Sequence, residues 1–349
     1  MPDRIAPRHL LRTLAAAILL PAAAGASAQN VINISSWVPP SHHINTTIKA
    51  WCAEVEQGTS NRVKCNMLAK PVAPPHQSLN AVRQGVADAS FTVVAYNAEP
   101  MNVGMVLSVP FAMGPNANGE RVSVALWRVL QPHLLRSGEW KGVKLLSTGA
   151  GSPNQIYSTT QPLRSQNDFK SKKVMVGNKL GADIVTAFGG QPIVKPASDL
   201  YQMFSGGIVD AAFNPIETVK SFKVDPFVKH ATLVPGGVWM GFGSFYISEA
   251  KWNSLSREDQ AVVENASGEK LSRRWGGAFD AEDRESLEVM RKSGAQVVTA
   301  SDEFVRQMVA ASADIGRQMI VAARDKGLAE PEKVLQQLRA EVDRVAKQP

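Results

Sequence analysis

The chain has 349 residues, 44% of them hydrophobic and 20% charged, with a formal net charge of +7 and two cysteines. That length supports two ordinary domains with cores of their own, and the composition excludes a disordered chain. Lysines and arginines are scattered without a basic stripe or interleaved aromatics, so no nucleic-acid partner is expected.

The amino terminus differs from the rest. Arg4, Arg8 and Arg12 form a positive region, Leu14 to Gly25 a short apolar one, and Ala26-Ser27-Ala28 a small-x-small cleavage pattern. Residues 1–28 therefore read as a secretory signal peptide cleaved after about Ala28. Its loss removes those three arginines and Asp3, taking the net charge from +7 to +5. No lipobox cysteine follows, so a soluble, exported, periplasmic protein is expected, without a membrane span in the interior.

In chain order, Val31 to Ser35 is a strand and His43 to Gly58 a helix. Strand Val63 to Leu68, a helix from Gln77 and strand Ala89 to Val94 continue the pattern of an open α/β sheet. A helix from Glu120 to about Leu135 leads to strand Val143 to Ser147. Gly149 to Asn154 then has the composition of a hinge, and strand Gln155 to Ser158 resumes. Val174-Met175-Val176, Lys179 to Phe188, Gln191 to Val194, Asp199 to Phe204 and Ala211 to Asn214 repeat the strand–helix–strand–helix–strand order. An aromatic run from Trp239 to Ile247 follows. Ser256-Arg257-Glu258-Asp259 resembles a capping box opening a helix to about Lys292, which Gly276-Gly277 kinks or splits. Helices over about Asp302 to Asp325 and Glu332 to Ala346 close the chain.

One phrase occurs twice: Gly85-Val86-Ala87-Asp88-Ala89-Ser90-Phe91 and Gly207-Ile208-Val209-Asp210-Ala211-Ala212-Phe213. Such internal similarity fixes architecture. It implies two similar α/β lobes with Thr92 and Asn214 at matching strand ends and a cleft between them, because ligands of open α/β sheets bind beyond the strands' carboxyl ends. The expected organisation is lobe I over residues 29–150 and about 240–275, and lobe II over 151–239. Residues from about 276 to 349 form C-terminal helices packing on lobe II and bridging the lobes. Cys52 on the first helix and Cys65 on the next strand can share one seam. They are either a disulfide, which an oxidising compartment favours, or two buried thiols.

Hydrolase elbows, zinc-ligand spacings, P-loops and dinucleotide fingerprints do not occur. No catalytic residue, metal or cofactor is expected. His42-His43 reads first as a polar pair at a helix entry.

The succession Gly207-x-x-Asp210-x-x-x-Asn214-Pro215, then Trp252-Asn253-Ser254-Leu255-Ser256-x-Glu258-Asp259-Gln260, resembles the DctP-type solute receptors of TRAP transporters. The helix Leu79–Gly85 with Asp88 adds to the likeness, which covers essentially the whole mature chain. It implies a two-lobed receptor of the periplasmic-binding-protein type with a long bridging helix. Such a receptor closes on a small organic solute and delivers it to integral-membrane permease subunits; a monomer is expected. The other reading is an exported ligand-binding component of a membrane sensor; a periplasmic enzyme is the third, weakened by the lack of any nucleophile–base pair. Most members hold a carboxylate with an arginine where this chain has Met175. Methionine offers no bidentate fork, so the solute is expected not to be a simple organic carboxylate, or to be held by other groups. The candidate ligand-binding residues are Asn214, Met175, Trp37, Tyr96, Trp239, Phe242, Gln155, Asn178 and Glu99.

Overall fold

β1 (Asn30–Ser35) lies between β2 (Val63–Met67) and β3 (Ala89–Val93), parallel to both. α1 (His43–Gly58) and α2 (Ser78–Arg83) make the crossovers. α1 earns its place by burying Ile44, Ile48, Trp51 and Val55, one stripe at helical spacing. This first set belongs to a computed structural model that describes residues 29–97 and 103–348. The signal-peptide reading and Glu99 lie outside the described residues, among which no helix is long and apolar enough to cross a membrane.

α3 (Gly119–Ala125), a π-helical turn at Leu126–Leu130 and α4 (Gln131–Ser137) replace the single helix expected there. They lead into β4 (Val143–Ser158). The second parallel set has β5 (Lys173–Val176) between β6 (Gln191–Val194) and β7 (Ala211–Pro215), with α5 (Lys179–Ala187) and α6 (Leu200–Ser205) as crossovers. The duplicated phrase has a mechanical meaning in both sets. Asp88 Oδ2 accepts the Asn33 backbone N–H at 2.8 Å, and Asp210 Oδ2 accepts that of Lys173 at 2.8 Å. Each aspartate thus ties the start of one strand to its neighbour. Gly85 and Gly207 precede them at φ +73° and +60°, where a side chain would be strained.

After α7 (Glu217–Ser221) and β8 (His230–Leu233), β9 (Met240–Ser248) pairs antiparallel with both β3 and β4. The ten strands form one sheet with a principal order of β2-β1-β3-β9-β4-β7-β5-β6. β4 is shared by the two halves. It pairs with β9 along much of its length and with β7 and β8 beyond Asn154.

The expected hinge at Gly149–Asn154 lies within a continuous strand, whose register shifts between Leu145 and Ser147 and again between Ala150 and Pro153. Its glycine serves close approach: a Cβ at Gly149 would sit 2.2 Å from Trp275 Cδ1. The expected single helix to Lys292 is also corrected. α8 (Glu249–Ser254) and α9 (Arg257–Ala266), the latter capped by Ser256 Oγ on Asp259 N at 3.1 Å, precede a break at Ser267-Gly268, where Gly268 has φ +66°.

α10 (Gly268–Lys292) then runs unbroken through Gly276-Gly277, spanning roughly 37 Å at ~1.5 Å per residue. Those glycines admit a neighbour instead of a kink, since a Cβ at Gly276 would meet the Gly119 carbonyl oxygen at 2.0 Å. α10 grips both halves. Asp280 accepts the Gly119 and Glu120 N–H groups at the start of α3, at 2.6 and 2.9 Å. One turn on, Asp283 accepts the Glu217 N–H at the start of α7, at 2.8 Å. β10 (Gln296–Thr299) pairs with β8; α11 (Asp302–Asp325) packs on α5, and α12 (Pro331–Ala346) on α3. Cys52 and Cys65 form a disulfide between α1 and β2, with Cα atoms 5.8 Å apart.

Candidate functional site

The carboxyl ends of β1, β3, β5 and β7 face one cleft with ≈ 800 Å³ of free space including its mouth. From the first half come Trp37, His42, Val93 and Tyr96; from the second come Asn178, Asn214, Glu217 and Trp239. Asn154 and Phe242, on the central strands, and Trp275 and Phe279, on α10, complete much of the wall.

The aromatic side chains support one another. Trp37 packs on Phe91 and Tyr96, with centroids 4.9 and 5.8 Å apart, and its Nε1 donates to the Phe91 carbonyl at 3.3 Å. Trp239 packs on Phe213 at 5.4 Å, held from behind by Asn154, whose Nδ2 donates to the Trp239 carbonyl at 3.1 Å. Offset and edge-on ring contacts of this kind give rigid apolar walls.

Polar capacity is sparse. Tyr96 Oη accepts the Ala197 N–H at 3.2 Å, a bond from the first half to the second. Burial pushes this phenol up to about 12, so it stays a neutral hydroxyl. Asn178 caps α5, its Oδ1 accepting the Gly181 N–H at 2.9 Å, which leaves its amide NH₂ for other partners. Asn214 is buried at the end of β7 and its Nδ2 has no hydrogen-bond partner. An orphan of that kind calls for an explanation, and a bound molecule is one. Among the described residues lining the cleft there is no lysine or arginine.

A carboxylate stands there instead. Glu217 Oε2 is buried, 3.6 Å from His42 Nε2 and 3.4 Å from His43 Nε2, in ion-pair rather than hydrogen-bond geometry. Burial opposes its charge, but His43, His42 and Ser221 together outweigh that and hold the carboxyl below its ordinary range. Burial also pushes the His42 imidazole down to about 4, so it is neutral at pH 7. These three residues have the composition of a metal site, but the tautomer argues against one. His42 Nδ1 accepts the Ile44 N–H at 3.2 Å, which puts the proton of the neutral ring on Nε2 and removes the lone pair a metal needs. Two potential ligands remain, fewer than zinc sites use.

Of the sequence-derived candidates, Asn214, Trp37, Tyr96, Trp239, Phe242 and Asn178 meet in this cleft. Met175 and Gln155 do not. Met175 is fully buried beside Ala212 on β7, in the core cluster that holds Tyr157 and Leu200. Strand alternation sends Val174 and Val176 to one core and Met175 to the other, and an unbranched thioether fills that space without needing a polar partner. Gln155 spends its amide on the backbone, accepting from Val234 N at 2.6 Å and donating to Val234 O at 3.2 Å. His42 is both the helix cap expected of it and a cleft residue. Sequence reasoning missed Glu217 as a site residue, although it lies three positions after Asn214. Trp275 and Phe279 carry no signal that separates cleft from core.

Residues 34–322 match the family model for bacterial extracellular solute-binding proteins, family 7, also called DctP. The chain belongs to this family. It is a solute receptor of the TRAP type, as the resemblance implied. A TRAP periplasmic solute-binding protein from Bordetella bronchiseptica, solved with (R)- and (S)-mandelate bound, is 30% identical with a TM-score of 0.85, covering 90% of this chain and 99% of that one. One from Rhodoferax ferrireducens, in complex with copurified benzoate, shares the fold at 19% identity and a TM-score of 0.83, over 91% and 98% of the two chains. Among curated relatives, the outer membrane transporter protein TsaT of Comamonas testosteroni is 24% identical, over 86% of this chain and 88% of its own.

Proposed function

We propose that this receptor takes a small aromatic organic solute, closes on it by hinge motion and delivers it, without catalysis, to integral-membrane TRAP permease subunits. The closing bodies are the lobes expected from the sequence, residues 29–150 with about 240–275 against 151–239, and the exported chain acts in the periplasm after losing its leader. The observation that carries the solute class is the wall itself. Trp37, Tyr96, Trp239, Phe242, Trp275 and Phe279 all line the cleft, and a ring-bearing solute is the partner such a wall favours.

The polar end of the solute is an oxygen received by neutral donors, Asn214 Nδ2 and the amide of Asn178, in place of a guanidinium. Neutral amides satisfy a carboxylate, an amide or a ketone alike but give less charge-assisted strength than arginine. The Bordetella protein, with mandelate in its structure, supports a ring-bearing acid in such a slot. The sensor reading has no observation of its own in its favour. A thermal-shift screen tests the proposal. Mandelate, benzoate and uncharged aromatic analogues are expected to raise the melting temperature, whereas stabilisation by C4-dicarboxylates or sugar acids alone would overturn it.

A further inference from the structure

The cleft closes over a cluster that solute binding alone does not require. His42 and His43 stand at the entry of α1, which follows β1 in the first half; Glu217 starts α7, which follows β7 in the second. The pair therefore spans the gap between the two halves. The two rings stack on each other at 4.2 Å and reach across the gap, His42 edge-on against Phe222 just after α7 at 5.7 Å and His43 against Phe279 on α10 at 4.4 Å. The carboxylate side is fixed, since Asp283 on α10 anchors the Glu217 N–H and Ser286 Oγ donates to the Glu217 carbonyl at 3.2 Å. Glu217 Oε2 and both ring nitrogens of His43 lack hydrogen-bond partners, including any from their own lobes.

We propose that His42, His43 and Glu217 form a latch between the lobes, an acid-released grip of two imidazoles on one carboxylate that sets how tightly the receptor holds its solute. The latch rests on the hinge closure argued above and not on the identity of the solute. When the lobes part, all three groups return to water; when they close, the carboxylate faces both histidines across the gap, with Ser221 of its own helix beside it.

The sign follows from how the closed cluster shifts His42 and Glu217. His42 is pushed down to about 4 in the closed form and regains its ordinary value near 6.5 once hydrated. Closure is therefore fully favoured above about pH 6.5 and is lost as the pH falls toward 4. Glu217, held low, acts in the same direction but at lower pH. The other titratable groups facing the cluster are Asp283 and Asp280 on α10, Tyr157 on β4 and Tyr96. The tyrosines stay neutral, because burial pushes both upward. Asp283 is bonded to Glu217 N on the same side of the gap, so it travels with that side when the cleft opens.

Calorimetric titration of the mature chain with (R)-mandelate at pH 7.5 and 5.0, with small-angle scattering of the solute-free protein at both, tests the latch. Wild type is expected to lose roughly tenfold in affinity on acidification, and its radius of gyration to grow. His42→Asn, which keeps a good helix cap, should flatten that pH profile. Glu217→Gln should do the opposite, weakening binding several-fold at pH 7.5 and steepening the acid limb, because His42 loses the one charge that favours its protonation. A merely structural role would move neither profile. A pH-independent wild type, or a His42→Asn variant that keeps the wild-type acid limb, overturns the latch. Failure of mandelate to bind wild type at pH 7.5 would count against the aromatic reading alone, and the scattering arm then decides the latch.

Discussion

The two copies of the Gly-x-x-Asp phrase share the bond and the turn that hold a strand, and differ in the residues they send to the cleft. Asp88 and Asp210 make the same 2.8 Å bond to the neighbouring strand, and Gly85 and Gly207 make the same left-handed turn. Four residues past each aspartate the copies part: Thr92 is next to last in one strand and Asn214 in the other. Beyond them the first copy supplies Tyr96 and the second Glu217, both in the cleft wall. Backbone geometry has few solutions, so the scaffold residues repeat. A bound molecule has different chemistry at its two ends, so the tips do not.

The largest effect expected concerns the helix that joins the copies. Gly276→Ala would drive a methyl into the Gly119 carbonyl and should cost about 3 kcal/mol or more in urea denaturation; a loss under about 1 kcal/mol would mean that α10 and α3 are not in such contact. Met175→Ala separates scaffold from tip. As a core residue it should cost roughly 3 kcal/mol in the same assay while leaving the solute Kd within about twofold. A large change in Kd at small stability cost would return Met175 to the cleft.

The disulfide has no counterpart in the second copy. Cys52→Ser with Cys65→Ser should lower stability by about 3 kcal/mol. Asp88→Asn and Asp210→Asn should each cost about 1 to 2 kcal/mol. Unequal losses, read from melting curves, would show that the likeness of the two phrases is one of sequence more than of load.

The smallest effect is a slope. Burial pushes Asp283 up to about 7 in the folded state, so its share of stability is complete below about pH 4 and is lost as pH rises through 7. Asp283→Asn should flatten that part of the stability profile.

Much of this was legible in the sequence because it follows local rules. The paired strand–helix orders, the capping box at Ser256, the Cys52–Cys65 seam and the duplicated phrase are all short-range patterns. The errors share one cause. Gly276 reads as a point of flexibility, yet it is glycine because α3 passes in van der Waals contact, and Gly149 is crowded by Trp275 as well. Composition does not distinguish freedom from crowding. Likewise, nothing local marks Trp275 and Phe279 as cleft residues, or joins His42 to Glu217, because those relations exist only once α10 and the two halves of the sheet are brought together. Met175 was read through what relatives carry at its position, whereas its own strand alternation turns it into the core.

The most direct test of the central claim, an aromatic-lined cleft anchored by amides, is calorimetric titration of wild type and Asn214→Ala with mandelate and with D-glucuronate at pH 7.5. The account predicts that wild type binds mandelate, that Asn214→Ala weakens this by about tenfold or more, and that D-glucuronate releases no measurable heat. Tight binding of D-glucuronate with none of mandelate, or mandelate affinity unchanged in Asn214→Ala, would contradict it.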